Sequence, residues 1–238
     1  MALPKLETPK HSTILPSTDQ TVYFRPFLVG EQKQLLIAQE SEDQNMILRE
    51  MIRLIDVCVD DVTSEHLPTS DIEWLFLQIR IKSVGETTDL VLKCQQEPCE
   101  ADNEFKLDLE TIKVEQKEKL SNIIELTPNV SVELEYPSFA MMEKVNFDSE
   151  GNISTTETFN LIARCVTSVI DGDEIHGRED FTSAELNTFM DSMSVVMMED
   201  IQKYFDSAPK MTTIADYNCT VCGKNNNLVI EGTQNFFG

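Results

Sequence analysis

Apolar residues change their spacing along the chain, and each change marks a different kind of secondary structure. Between residues 31 and 55 they recur three and four positions apart, which predicts two amphipathic helices separated by the polar stretch 41–45. Ser70 and Glu73 have the spacing of a capping box, which predicts a helix over 71–80. Because apolar residues occupy almost every face of that helix, we expect it to be the most deeply buried one.

Short strand-like segments follow this helix, and others lie near the carboxyl end of the chain. β-branched and apolar residues dominate them or alternate with polar ones, as in half-buried strands. These predicted strands are 90–93, 105–109, 130–136, 212–217 and 228–230.

The amino-terminal 30 residues read as an extended arm. Four of the nine prolines lie here, and each removes a main-chain donor and fixes the local backbone. Residues 12–15 and 21–25 flank the turn-forming sequence Pro16-Ser17-Thr18-Asp19, which predicts a short hairpin within the arm.

The segment 137–208 reads as a second helical region. One apolar stripe is predicted to run along it, and a further helix is predicted to start near Thr182, with Glu185 completing its capping box. A last helix is predicted over 195–205. The apolar stripe comprises Phe159, Ile162, Ala163, Val166 and Ile170.

Together these elements predict an α+β fold, in which a helical body flanks a small β element assembled from sequence-distant pieces. The expected organisation is an arm, a helical region, a β region, a second helical region and a terminal hairpin. Their bounds are 1–30, 31–87, 88–136, 137–208 and 209–238.

The charge of the chain limits its partners. Lys and Arg number 19 against 42 Asp and Glu, for a formal net charge of −23. Such a chain repels phosphate backbones, so nucleic acid and anionic membranes are poor candidates. The charge serves solubility or, alternatively, offers a docking surface for a basic protein. The amino end lacks the pattern of a signal peptide, and no apolar run is long enough for a membrane span, so we expect a soluble chain that is synthesised inside the cell.

Two pairs of cysteines are the strongest chemical signal. Cys94 and Cys99 are separated by four residues, Cys219 and Cys222 by two, and each pair is predicted to lie in a turn between strands. Gly223 can adopt the positive φ that curls main-chain amides toward a thiolate. Two such knuckles facing one another supply four thiolates in a tetrahedron, the arrangement of a structural zinc ribbon.

Other interpretations of these cysteines stay open. They could be two unligated thiol pairs, or a redox disulfide or iron–sulfur site, although the sequence after Cys222 lacks the helix that follows a thioredoxin-like motif. Four thiolates would fill the shell of a zinc ion, so the metal would be architectural rather than catalytic. Cys58 and Cys165 lie beside apolar residues and are predicted to be buried thiols.

Enzymatic motifs are weak or missing in the sequence. It has no Gly-rich phosphate loop and no nucleophile elbow, and its three histidines stand at no ligand spacing to one another. The acidic turns that begin at Asp148 and Asp171 lack the glycine and the closing glutamate of an EF-hand. We therefore expect no enzyme and no catalytic residues.

Several segments spread along the chain carry a resemblance to one family. They are Leu3 to Pro9, Tyr23 to Phe27, Leu75 to Arg80 running into Ser83 to Glu86, and Glu231-Gly232 with Phe236-Phe237, together with the cysteine knuckles. These segments resemble the baseplate hub and hub-assembly proteins of T-even-type bacteriophages, although the wider gap of the first cysteine pair departs from the pattern. The resemblance implies a role in building the central hub of the tail baseplate, as an incorporated subunit or as an assembly chaperone that leaves, with other hub proteins as partners.

Aromatic residues near both ends are candidates for contacting such partners. Tyr23, Phe24 and Phe27 lie in the arm, and Phe236 and Phe237 end the chain. Alternatively, both groups fold back into the core of the chain itself. A zinc-ribbon enzyme or thiol-redox protein is the competing functional class, and a transcription-associated ribbon is disfavoured by the acidic charge.

Overall fold

A computed structural model describes residues 7–41, 43–116, 118, 120–146 and 152–231, and it has the mixed helical and β composition that the sequence predicts. Among these residues, none of the helices has the length and apolar character needed to cross a membrane. The strands are β1 (His11–Ile14), β2 (Thr21–Phe24), β3 (Thr87–Lys93), β4 (Asp102–Asp108), β5 (Lys113–Glu115), β6 (Ile123–Glu125), β7 (Val130–Leu134), β8 (Val166–Asp171), β9 (Glu174–Gly177), β10 (Lys210–Asn218) and β11 (Asn225–Glu231). The helices are α1 (Val29–Glu40), α2 (Gln44–Cys58), α3 (Thr69–Val84), α4 (Phe139–Met142), α5 (Thr155–Arg164), α6 (Ser183–Asp191) and α7 (Val195–Asp206).

The described residues form two compact units. The first unit lies within 1–63, 70–115 and 209–238, so the chain leaves it after β5 and returns to it at β10. It contains the hairpins β1–β2 and β3–β4 and the antiparallel sheet β11–β10–β5. The second unit lies within 64–69 and 116–208 and contains the four-stranded antiparallel sheet β6–β7–β8–β9.

The hairpin of the arm and the helix pair form as predicted. β1 pairs with β2 across a turn in which Asp19 has a φ of 58°, a conformation that Asp tolerates. Phe24 ends β2 almost fully buried, and it forms a β-bridge with Val59 just after α2. Burying a side chain of that size stabilises the fold by about 1.5–3 kcal/mol, which fixes the arm on the body of the first unit.

Helix α3 supplies much of the core of the first unit. Buried residues occur all around it, as expected, while the ring of Trp74 is only partly buried and donates to Thr13 Oγ1 at 3.0 Å. The helix begins at Thr69, so Ser70 lies in its first turn, and the prediction that Ser70 caps the helix is wrong. Leu77 and Ile81 pack against apolar residues of the two hairpins that carry the cysteines, chiefly Leu90, Leu107, Met211, Ala215, Tyr217 and Ile230.

The second unit corrects one predicted element. The apolar stripe breaks after α5, because Val166 and Ile170 belong to β8 rather than to a continued helix. The sequence from Val166 to Ile170 is rich in β-branched residues, which favour a strand, and it pairs with β7. The capping box of Thr182 and Glu185 and the last helix, α7, are both confirmed.

One buried carboxylate joins the arm to α3. Asp71 has no solvent exposure and accepts hydrogen bonds from the main-chain amide and the hydroxyl of Ser17, in the turn between β1 and β2. Burial raises the pKa of Asp71, and the bonds from Ser17 offset part of that rise. A raised folded-state pKa means that ionising Asp71 weakens the folded state relative to the unfolded chain.

This balance predicts how Asp71→Asn changes the pH dependence of stability. The contribution of Asp71 is fully present below its unfolded pKa of about 4 and is lost as pH rises through the raised folded value. The free energy of unfolding of the wild type should therefore fall relative to Asp71→Asn over that interval, in urea titrations at a series of pH values. The exposed Asp89→Asn is the control for loss of charge. A difference between wild type and Asp71→Asn that stays constant with pH would contradict the assignment.

Candidate metal centre

Each cysteine pair lies in a tight turn at the end of a hairpin, as the spacing predicts. Cys94 follows β3, and its amide donates to the carbonyl of Ala101 at 2.8 Å across the first turn. In the second turn, the amide of Cys219 donates to the carbonyl of Lys224 at 2.9 Å, and that of Gly223 donates back to the carbonyl of Cys219 at 2.9 Å. Main-chain hydrogen bonds thus fix the shape of both turns.

The two turns bring four sulfur atoms together. The Sγ atoms of Cys94, Cys99, Cys219 and Cys222 all lie within 4.8 Å of one another. Two distances between the turns are 3.7 Å, from Cys94 to Cys222 and from Cys99 to Cys219. A zinc ion with four Zn–S bonds of about 2.3 Å requires sulfurs about 3.8 Å apart. The cluster therefore has the dimensions of a tetrahedral four-thiolate site.

Main-chain amides favour the thiolate form within the cluster. The amide of Cys222 has the largest effect on the pKa of Cys219, which it lowers. Burial raises this pKa, whereas the amide of Val221, 3.4 Å from Sγ, lowers it further, and the resulting pKa is about 6. At Cys99 the amide of Ala101 lowers the pKa, but burial and hydrogen bonds with the other thiols raise it to about 11. Four adjacent thiols cannot all ionise without a cation between them.

Two buried asparagines connect the turns reciprocally. Asn103 of β4 accepts from the amide of Thr220 at 2.8 Å and from its hydroxyl at 3.1 Å. Asn226 of β11 accepts from the amide of Gln95 at 2.8 Å, and Cys94 Sγ lies 3.6 Å from the same oxygen. Each hairpin therefore satisfies a main-chain donor of the opposite turn. These hydrogen bonds keep the two turns, and with them the four sulfurs, close together without any bond between the sulfurs.

The sequence contains a signal for these asparagines. Asn103 stands four residues after Cys99, and Asn226 stands four residues after Cys222, so the two turns share a Cys-x-x-x-Asn pattern. The residue directly after the second cysteine has a positive φ in both turns, 42° at Glu100 and 69° at Gly223. The two turns are thus structural equivalents, and the prediction for Gly223 is confirmed.

Packing beneath the cluster ties the two hairpins together as well. Tyr217, two residues before Cys219, donates its hydroxyl to the carbonyl of Lys93 at 2.6 Å. Its ring lies 6.0 Å from that of Phe105 on β4. The hairpins that carry the two cysteine turns therefore pack against one another through shared apolar contacts.

The comparison with protein families identifies the chain. A family model described as T4 bacteriophage base plate protein matches residues 8–238, nearly the whole sequence. The chain belongs to this family. Neither the search of curated proteins nor that of solved structures returned a match. The matched residues include all four cysteines of the cluster.

The other two cysteines of this baseplate protein are not members of the cluster. Cys58 and Cys165 are both buried, as predicted. Burial is the largest cause that raises the pKa of Cys58 to about 11 and that of Cys165 to about 12. Both remain neutral thiols at physiological pH, and they behave as small apolar side chains.

The candidate partner residues differ in their exposure. Tyr23 is 57% exposed on the outer face of β2, whereas Phe24 is buried in the chain's own core and Phe27 is half-buried. Within the arm, Tyr23 thus offers the largest aromatic surface. Phe236 and Phe237 lie outside the described residues.

The positive φ values predict different effects of two substitutions on the free energy of unfolding. Gly223→Ala should lower the free energy of unfolding by about 1 kcal/mol, because a Cβ at this position meets no atom but the φ of 69° disfavours any side chain. Glu100→Gly should cost nothing, since relief of the strained φ offsets the added freedom of the unfolded chain. Chemical denaturation of both variants measures the difference. Equal losses would contradict the equivalence of the two turns.

Proposed function

We propose that this baseplate protein is a non-enzymatic component of tail baseplate hub assembly, acting as an assembly chaperone or as a hub subunit through protein–protein binding. It works in the host cytoplasm during assembly, and other baseplate hub proteins are its partners. A structural zinc ion held by Cys94, Cys99, Cys219 and Cys222 maintains the fold of its first unit. The observation that carries the proposal is the family match over residues 8–238.

The chemistry of the donor set supports zinc. Four thiolates at tetrahedral spacing suit a borderline-soft ion that has no geometric preference of its own. The amides that donate to Cys219 and Cys99 compensate negative charge on sulfur, and Asn103 and Asn226 orient the turns around it. A closed shell of four sulfurs leaves no position for substrate, so zinc here supplies stability rather than catalysis.

The position of the cluster in the chain explains what a metal would contribute. Cys94 and Cys222 are separated by 128 positions, and the second unit is inserted between the two hairpins. Bringing such distant segments together costs chain entropy. Structural zinc sites in zinc-finger peptides contribute on the order of 10 kcal/mol. A clamp of this kind holds the first unit together around the insertion.

The surface chemistry favours protein partners. A net charge of −23 opposes binding to nucleic acid but leaves the surface available to proteins with complementary charge. The exposed Tyr23 on the arm hairpin is an aromatic residue of the type that anchors protein interfaces.

A thiol-redox function is the second candidate. The observation that favours it is the exposure of Cys222, whose Sγ lies 3.7 Å from that of Cys94. Loss of two electrons and two protons from this pair to a disulfide oxidant would form a Cys94–Cys222 disulfide. The redox candidate predicts turnover in a thiol–disulfide exchange assay, while the structural zinc site predicts thiols that are protected until a chelator removes the ion.

The zinc proposal predicts the effect of Cys219→Ser. The variant should lose its metal and unfold at a lower temperature, because the remaining sulfurs cannot close the coordination shell. Elemental analysis should find one zinc per wild-type chain and none in the variant, and thermal denaturation should show the loss of stability. Cys58→Ser serves as the control, since Cys58 is not a member of the cluster and its loss should leave the metal content intact. Full metal content in Cys219→Ser would contradict the proposal.

The assembly role predicts the phenotype of a phage that lacks this protein. Infected cells should accumulate tail intermediates without complete hubs, visible by electron microscopy, and the wild-type gene supplied in trans should restore them. Mass spectrometry of purified virions then separates the two forms of the role: a hub subunit is present in the particle, and a chaperone is not. Normal baseplates in the absence of the protein would contradict both forms.

A further inference from the structure

The second unit contains a cleft whose lining differs in charge from the rest of the chain. It has a volume of about 400 Å³ and lies between α5, α6 and the residues that follow α4 and β9. This volume falls within the range of small ligand sites, roughly 300–1,000 Å³. All of the described residues that line it belong to the second unit.

Positive charge is concentrated at this cleft. Among the described residues of the second unit, the Lys and Arg side chains are Lys144, Arg164, Arg178 and Lys203, and the first three of them line the cleft. None of the described lining residues is acidic, although acidic side chains predominate in this unit. Three cations at one place repel one another, which raises the free energy of the folded chain. An anionic partner bound there would offset this repulsion.

Main-chain carbonyls hold the two guanidinium groups. Arg178 donates from Nε and Nη2 to the carbonyl of Val166, at 3.2 and 2.8 Å, and from Nη2 to the carbonyl of Arg164. Arg164 in turn donates from Nη1 to the carbonyl of Met141 at 3.4 Å. Carbonyl groups orient a guanidinium without cancelling its charge. Glu135 offsets part of the charge of Arg178, with Oε1 3.5 Å from Nη1 and both side chains about half exposed.

The remaining lining matches a peptide. Met141, Phe181 and Leu186 provide apolar surface beside the cations, and the amides of Asn160 and Asn187 can both donate to and accept from a main chain. We propose that this cleft binds an acidic peptide segment of a partner protein, in which a carboxylate contacts Lys144 and Arg164 while a neighbouring apolar side chain fills the cleft. This inference rests on the proposed function as a protein-binding component of the baseplate.

Charge decides between a peptide and a polyanion. A nucleic acid that reached the three cations would also bring many phosphates close to a chain of net charge −23. A short peptide brings one or two carboxylates, which the cleft can pair without that long-range repulsion. Guanidinium groups also match the planar geometry of a carboxylate.

The test is a nuclear magnetic resonance titration of the full chain with the blocked peptide acetyl-Leu-Asp-Glu-Phe-amide. Shifts should concentrate on the residues of α5 and α6 that line the cleft, and the uncharged analogue acetyl-Leu-Asn-Gln-Phe-amide should produce none. Lys144→Gln should weaken binding about fivefold, the scale of one partly exposed charge pair. Lys203→Gln is the matched control: it removes a positive charge from the same unit, from an exposed lysine paired with Asp200, and should leave binding unchanged.

Several outcomes would overturn the inference. These are equal binding of the uncharged peptide, equal binding by Lys144→Gln, and stronger shifts of the same residues with inorganic phosphate or an oligothymidylate. Shifts that grow with protein concentration alone would assign the cleft to a second copy of this chain and would equally reject the proposal. None of these results bears on whether a phage lacking the protein assembles its hub, so the two proposals fail separately.

Discussion

The convergence of two cysteine turns is the constraint on which the first unit depends. Cys94 and Cys222 stand 128 positions apart, yet their sulfurs lie 3.7 Å from one another. A chain does not bring such distant segments together without a large loss of conformational entropy, and the inserted second unit keeps the two hairpins apart in sequence. The interactions that hold these turns together therefore join two sequence-distant hairpins of the first unit.

The protein provides three contributions to this convergence before any ion is considered. Helix α3 gives both hairpins a common apolar surface, Tyr217 bonds across to the main chain of the first hairpin, and the two asparagines bond reciprocally between the turns. These interactions place the sulfurs at the spacing of a tetrahedral site. A zinc ion at that position would thus enter a site that the fold has already shaped. Its binding free energy would then add to the free energy of unfolding, because little rearrangement of the turns would be needed.

Local patterns in the sequence predicted most of the elements, because helix periodicity, caps and turn residues act over a few positions. The cysteine spacing likewise predicted two turns, whereas their meeting in space was a hypothesis that spacing alone does not supply. Three features could not be obtained in this way. Val166 to Ile170 continues an apolar helical stripe and also favours a strand, and only pairing with β7 decides between them. The Cys-x-x-x-Asn pattern points to Asn103 and Asn226, but it does not show which donor each of them meets, because that contact joins hairpins distant in sequence. The cations Lys144, Arg164 and Arg178 come together only through the packing of the second unit.

X-ray absorption spectroscopy at the zinc edge of the purified protein tests the central claim most directly, because it reports the atoms bound to the ion. The proposed clamp predicts one zinc per chain surrounded by four sulfur atoms at about 2.3 Å, with no nitrogen or oxygen ligand. A shell with only two sulfurs, or with histidine or carboxylate ligands, would show that the turns at Cys94 and Cys219 do not share one ion, and it would contradict the account of the first unit.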